Sequence, residues 1–403
     1  MRREMGIMEK VVSRFRLFTF MYWAMILGIA GMYTMYIQQK GFSKEEISIV
    51  ISVFTLSSLV GQSFIGYLVD KFKNIKKIMI ICMSVGLVVG LGLNLATQHW
   101  HVYVLIFIWG FFVYGSTSLS EAWTMHALRA YDAQRNFGRV RGFGSIGYGF
   151  SGIALGVLLQ RYSWTILSWY LIVTTLLTIV IIASINDNYK NNDNIKIEKV
   201  TFKEGLNQII RIKPLVAMVA IIFTYSFVVR GIYSYLGLLV SDLGGGASSL
   251  GFTYFFDAAP EIITFFLASK LLTKFHSITL VFAAFVLQII RLSVILIFNN
   301  TTAVMVMGVF SGFAFGLLAA SYKTYIYDLA PAKYKASCLS LSESIIGLSG
   351  IISAPIFGIV FTKFGMNRAI LFGLALEVIA AVLLFIKIIK SKVTRKEVKN
   401  IRS

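Results

Sequence analysis

The chain has 403 residues, 57% of them hydrophobic and only 14% charged, with 38 Lys and Arg against 18 Asp and Glu for a formal net charge of +20. A soluble domain carries about 25% charged residues, so this composition excludes ordinary soluble classes, and its hydrophobicity excludes disorder for the bulk of the chain. The basic residues lie between apolar runs rather than in one patch, which argues against a nucleic-acid partner, and Cys82 and Cys338, both inside apolar stretches, imply neither a disulfide framework nor a Cys-based metal site.

A helix needs roughly 20 apolar residues to cross a bilayer core of about 30 Å. That ruler predicts twelve spans in chain order: 17–38, 46–69, 78–97, 102–127, 140–160, 164–185, 214–240, 248–272, 278–297, 302–327, 336–361 and 367–388. The spans at 102–127, 214–240 and 302–327 are interrupted by charges or several hydroxyls. The first follows Arg14 and Arg16 without a small-residue cleavage site, so it reads as a retained helix rather than a signal peptide. Of the 38 basic residues, 30 fall in, or at the span edges beside, the N-terminal segment, the loops after even-numbered spans and the C-terminal tail, against five at the opposite ends and three, Arg230, Arg291 and Lys323, further inside spans. Basic residues in short loops stay on the cytoplasmic side, so both termini are expected in the cytoplasm and the chain in the cell membrane. A polar stretch divides the spans six and six, giving an N-terminal bundle (1–185), a linker (186–213) and a C-terminal bundle with a basic tail (214–403). The second half of the linker, from Val200 to Ile212, has the spacing of a short helix on the membrane surface.

One pattern of a small residue, three mostly apolar positions, a polar one, a basic one and an aromatic occurs four times. It begins at Gly66, Gly156, Ser269 and Gly358 and ends at Phe72, Tyr162, Phe275 and Phe364. The spacing is 90 and 89 residues within halves and 203 and 202 between halves. Each copy closes the second helix of a three-helix unit, and successive units start on opposite sides of the membrane. The predicted fold is therefore all-α, with twelve transmembrane helices in two pseudo-symmetric six-helix bundles, each built of 3+3 inverted repeats. Secondary transporters use this arrangement.

With that repeat, the chain resembles the major facilitator superfamily. The first copy, with Gly66, Asp70, Lys71 and Lys73, looks like the family's loop motif between helices 2 and 3, which the resemblance implies is a gating latch at the cytoplasmic ends. Asn74 stands where the family usually has Gly, and the counterpart at Lys270–Lys274 has no acid.

Ionisable residues inside spans are costly and face a cavity or a partner. Here they are Glu121, Arg141, Arg230, Asp257, Glu261, Arg291, Lys323, Glu343 and Glu377, of which Glu377 has no polar companions and reads as structural. The run Asn136 to Tyr148, with Arg141, Gly144, Ser145 and Gly147, resembles the start of helix 5 in the lactose permease and its relatives, the oligosaccharide, nucleoside and phenylpropionate proton symporters. Glu121-Ala-Trp123 resembles the end of their helix 4. The resemblance implies that Glu121 and Arg141 bind substrate hydroxyls and that Tyr148 supplies the stacking aromatic. Ser145, Trp123 and Tyr254 complete the substrate-binding set. A carboxylate and a guanidinium offer acceptors and forked donors to a polyol.

In the second half, Asp257 and Glu261 stand four apart on one face of a helix containing Pro260. Glu261 and Arg291 match the helix 8 acid and helix 9 Arg that those relatives use in substrate binding and proton coupling. In general, burial favours a protonated carboxyl and a nearby cation favours the carboxylate, so moving Arg291 on and off Glu261 would load and release a proton. Arg230 needs a partner among Asp257, Glu261 and Glu343, with Glu343 the first choice, and these five residues form the ion-coupling set. The stretch from Ser311 to Gly316 lacks the His and Glu of the lactose permease's helix 10.

The function expected is secondary active transport of a small polar organic solute, a sugar, oligosaccharide or nucleoside, by alternating access with proton-coupled symport. Sodium stays open as the coupling ion. An efflux antiporter for lipophilic compounds is the alternative, disfavoured because the expected Pro is absent from helix 5, followed by a non-transporting receptor. No motif of an enzyme appears, no cofactor or metal is expected, and the partners expected are the solute and the lipid bilayer, with the chain working as a monomer.

Overall fold

The computed structural model describes residues 2–131, 133, 136–185, 210–331 and 334–401. The first part of the linker, 186–209, lies outside the described residues, and most of the surface helix expected there with it. Twelve helices among the described residues are long and apolar enough to cross a membrane. They are α1 (Arg2–Gln39), α2 (Lys44–Phe72), α3 (Ile75–Leu95), α4 (His99–Ala130), α5 (Phe137–Arg161), α6 (Thr165–Ser184), α7 (Lys213–Ser234), α8 (Ala247–Lys274), α9 (Ser277–Phe298), α10 (Thr301–Leu329), α11 (Lys335–Phe364) and α12 (Met366–Ile401). Each matches one predicted span.

The differences have local causes. α1 and α12 run well past their apolar stretches, because a hydropathy ruler measures only the part that needs lipid. The predicted seventh span stops at Ser234, and a separate short helix, Leu236–Asp242, follows Tyr235. α4 is not uniform: a π-helical stretch at Trp109–Val113 and a 3₁₀ turn at Tyr114–Ser116 interrupt it. The carbonyl of Val113 accepts from the Tyr22 hydroxyl at 3.2 Å and from Ser116 Oγ at 2.7 Å. Backbone groups freed from the regular ladder inside a membrane need such partners.

The four repeat copies close α2, α5, α8 and α11, whose last residues are Phe72, Arg161, Lys274 and Phe364. After the first copy Lys73 adopts φ 52°, its N–H donating to Val69 O at 2.8 Å, and Asn74 Oδ1 accepts from Lys77 N at 2.9 Å to start α3. A side-chain cap thus stands where the family has Gly. After the fourth copy, Gly365 takes φ 86°. α2 opens on a capping box between Ser43 and Glu46, with reciprocal bonds of 3.2 and 2.8 Å. Many hydroxyls, among them Thr19, Thr174, Thr178 and Ser342, bond to carbonyls one turn back on their own helix. These serve the backbone rather than a site.

The chain forms two compact units. One comprises Met1–Lys196, Tyr235–Ile262 and Asn300–Gly308, the other Ile197–Ser234, Ile263–Asn299 and Val309–Ser403. In the first, α1 packs most extensively on α5 and α3 on α6. The α1–α5 contact is backbone against backbone at Gly147, where a methyl would overlap the Phe20 carbonyl. α5 meets the first half of α8 in the same way: a methyl on Gly251 would collide with the Gly152 carbonyl, and one on Gly156 with the Ala247 carbonyl. Small residues let membrane helices approach this closely. Lys44, in the first turn of α2, pairs with Asp242 at 2.9 Å. The second unit has its own apolar core around Met218, Ile222, Tyr225, Phe285, Leu318 and Leu384.

Candidate solute site and ion-coupling residues

The N-terminal turns of α5 and the α4 segment Thr117–Ala130 bring Glu121 and Arg141 together. Arg141 Nε donates to Glu121 Oε1 at 3.0 Å, and the two side chains are 17% and 45% exposed. The pair is thus half in contact with solvent, where an ion pair remains exchangeable against a polar ligand. The guanidinium carbon of Arg141 sits 4.4 Å from the centroid of the Trp23 ring on α1. Trp23 reaches it because position 144 lacks a side chain: a methyl on Gly144 would lie 2.6 Å from Trp23 Cδ1. Trp23 also meets Tyr148 edge-on at 6.3 Å, and Tyr148 meets Tyr254 at 5.5 Å. Tyr254 is anchored by its hydroxyl, which donates to the Gly31 carbonyl at 2.8 Å.

Arg141, Ser145 and Tyr148 recur at i, i+4 and i+7, one face of α5. On α8, Tyr254, Asp257 and Glu261 do the same. Glu261 lies within electrostatic reach of Arg141, Asp257 and Glu121, with Arg141 its strongest charged neighbour, and Ser145 is beside it. Neither Ser145 Oγ nor Glu261 Oε1, both buried atoms, completes a hydrogen bond among the described residues. Five predicted substrate residues, Glu121, Arg141, Ser145, Tyr148 and Tyr254, therefore share one unit with Asp257 and Glu261.

Trp123 is placed differently. Its ring is fully buried and meets Phe15 at 5.2 Å and Phe18 at 5.3 Å, both edge-on, so it packs α4 against α1. The aromatic that touches the charge pair is Trp23, a residue outside the predicted substrate-binding set. The usable signal was Gly144 three residues from Gly147, a bare strip on α5 that must accept a large group from some other helix.

The remaining ion-coupling residues lie in the second unit. Arg291 is 2% exposed and donates from Nη1 to Ser311 Oγ at 2.6 Å. Glu343 Oε1 pairs with Lys323 Nζ at 3.0 Å and accepts from the Tyr322 hydroxyl. Arg230 is exposed and forms no ion pair among the described residues. Glu377 is fully buried, with neither carboxylate oxygen hydrogen-bonded among them. In the latch segment, Gly66, Asp70, Lys71 and Lys73 are all exposed, and Lys71 Nζ lies 5.9 Å from the Tyr67 ring and 5.5 Å from the Phe72 ring. The neighbouring Lys76 ties α3 to the end of α6 through the carbonyls of Ala183 and Ile185, both at 2.7 Å.

Twelve membrane-length helices with fourfold repeated ends, and charged side chains gathered inside the spans, define a multi-pass membrane transporter. The chain belongs to the MFS_1 like family, whose family model matches residues 12–372. It is a major facilitator superfamily transporter and not an enzyme. By sequence it is similar to the uncharacterized transporter YwbF of Bacillus subtilis and to the maltose permease of Geobacillus stearothermophilus. Each is 20% identical over 332 residues, covering 82% of this chain and 81% and 82% of the relatives. Among solved structures, a mutant form of the nucleoside transporter NupG superposes with a TM-score of 0.76 at 14% identity, covering 93% of this chain and 99% of that one. At that identity the likeness shows the fold.

Proposed function

We propose that the chain moves a small polar organic solute, sugar-like or nucleoside-like, across the cell membrane by alternating access, with a proton travelling alongside it. The observation that carries this reading is the Glu121–Arg141 pair backed by the Trp23 ring, with Glu261 in electrostatic reach of the same guanidinium. The pair offers acceptors and forked donors to hydroxyl groups, and the partly buried Tyr148, backed by the buried Tyr254, offers ring surface beside it. The named relatives, a maltose permease and a nucleoside transporter, are compatible with such a cargo. The bias of basic residues to one end of the helices supports an orientation with both termini in the cytoplasm.

Coupling rests on Glu261. Ionised, it attracts Arg141 and competes with Glu121 for it; protonated, it releases the guanidinium to Glu121 and the solute. Proton arrival and solute affinity are then two readings of one equilibrium. The test is uptake into vesicles energised by a pH gradient. Glu261→Gln is expected to abolish accumulation while sparing exchange, and accumulation intact in that variant removes Glu261 from coupling.

A further inference from the structure

The break in α4 falls between two stretches held by different neighbours. Before it, the helix lies on α2 backbone: a methyl on Gly61 would overlap the Phe111 carbonyl, one on Gly110 would overlap Ser57 Oγ, and one on Gly115 would stand 3.0 Å from the Gln62 nitrogen. After it, the segment Thr117–Ala130 carries Glu121 and is docked on α1 through Trp123, between Phe15 and Phe18. The geometry of the break therefore sets the direction of Glu121 relative to the clamped part of its own helix.

Hydrogen bonds define that geometry. The Tyr114 N–H reaches back to the carbonyls of Gly110 and Trp109, four and five residues earlier, so one turn is wide. The Thr117 N–H then bonds to the Tyr114 carbonyl, three residues back, so the next turn is tight. In an unbroken α-helix that N–H would bond to the Val113 carbonyl, which here loses this donor. Ser116 Oγ replaces it at 2.7 Å, and the Tyr22 hydroxyl reaches across from α1, 3.2 Å from the same carbonyl and 2.9 Å from Ser116 Oγ. With the Ser116 proton committed to the carbonyl, the single Tyr22 proton is shared between the carbonyl and Ser116 Oγ. Tyr22, Val113 and Ser116 are all fully buried, so no solvent replaces a lost bond.

A change of one residue in register turns a helix by about 100°. Were the wide turn to close into a regular one, the segment after it would rotate by that amount and carry Glu121 away from Arg141. Glu121 is also within electrostatic reach of the Tyr22 hydroxyl, and the next residue of α1, Trp23, is the one that backs Arg141. We propose that Tyr22 is a positioning residue for the solute site: its hydroxyl caps the break in α4 and so aims Glu121 at Arg141. One turn of α1 then sets both members of the pair, Tyr22 through the α4 backbone and Trp23 by direct contact. This rests on the transport reading above, which takes the Glu121–Arg141 pair as the place where solute binds.

The test reads the geometry without a solute. In the purified full-length protein, with the buried Cys82 and Cys338 replaced by Ala, Glu121→Cys and Arg141→Cys are joined by a short bis-methanethiosulfonate, and the cross-linking rate is measured with and without Tyr22→Phe. The rate is expected to fall roughly 2- to 12-fold, the value of one hydrogen bond, and Ser116→Ala, which removes the other donor to the same carbonyl, should act in the same direction. With Glu121 and Arg141 in place, Tyr22→Phe should weaken binding of maltose or uridine by a similar factor and add little to the loss caused by Glu121→Gln. A side chain that only stabilises the fold would lower the thermal unfolding midpoint and leave the cross-linking rate unchanged, and that result overturns the proposal. Loss of affinity that adds in full to that of Glu121→Gln overturns it as well. Should Tyr22→Phe fail to fold, Ser116→Ala decides it, and an unchanged cross-linking rate in that variant overturns it. The transport reading fails on a separate result, the absence of any uptake driven by a pH gradient.

Discussion

The Arg141 guanidinium lies against the face of Trp23, 4.4 Å from the ring centroid, while its Nε is held by Glu121 3.0 Å away. One side chain is therefore fixed both at a face and at an edge, by α1 and by α4, leaving the rest of its fork for a ligand. A guanidinium over a tryptophan is worth about 0.5 to 2 kcal/mol. Trp23→Ala is expected to weaken solute binding by roughly 2- to 30-fold, with Trp23→Phe in between. A binding titration checks this, and wild-type affinity in Trp23→Ala contradicts a role for the ring.

Glu121 and Arg141 act as one unit in this account. Glu121→Gln and Arg141→Lys should each reduce solute affinity, and the double variant should be little worse than the poorer single one. The coupling expected from a double-mutant cycle is about 1 kcal/mol, kept modest because Glu121 is 45% exposed and water screens the pair. Full additivity of the two losses would show that the residues touch the solute independently.

The glycines differ in what they do, and a thermal unfolding comparison separates them. Gly251→Ala forces a methyl into the Gly152 carbonyl and should cost about 1–3 kcal/mol. Gly66→Ala adds a methyl where nothing lies within 4 Å and should be neutral or slightly stabilising, since Ala is the better helix former by roughly 0.5–1 kcal/mol. Equal effects at the two positions would mean that the α5–α8 approach is not tight.

Much of the architecture was legible because the bilayer imposes a length on each helix and the repeat marks where helices end. Phe72, Tyr162, Phe275 and Phe364 fall within one residue of helix ends in four different helices. The interruption of α4 was not legible: Trp109 to Val113 is as apolar as any regular helix, and only the Tyr22 and Ser116 hydroxyls at the Val113 carbonyl show where its ladder changes. Within the site, the joining of Glu121 and Arg141 was implied by the resemblance to the lactose permease relatives; charge at membrane depth alone singles out both residues but does not pair them. Which aromatic joins them was not legible. Tyr22, Trp23, Tyr33 and Tyr36 all lie on α1, and the choice depends on how that helix is turned against Gly144 and Gly147. Trp123, next but one to Glu121, points to the other side of its helix and into the Phe15–Phe18 cluster. Lys323 and Glu343 lie 20 positions apart on different helices, so their pairing depends on how α10 and α11 align.

The central claim is that a proton moves with the solute through Glu261. The direct measurement is the pH of a lightly buffered suspension of de-energised cells or vesicles when solute is added outside. The wild type should turn the medium transiently alkaline as protons enter with the solute, and Glu261→Gln should move solute down its gradient with no pH change. An alkaline transient of wild-type size in Glu261→Gln, or none in the wild type while solute enters, would contradict the account.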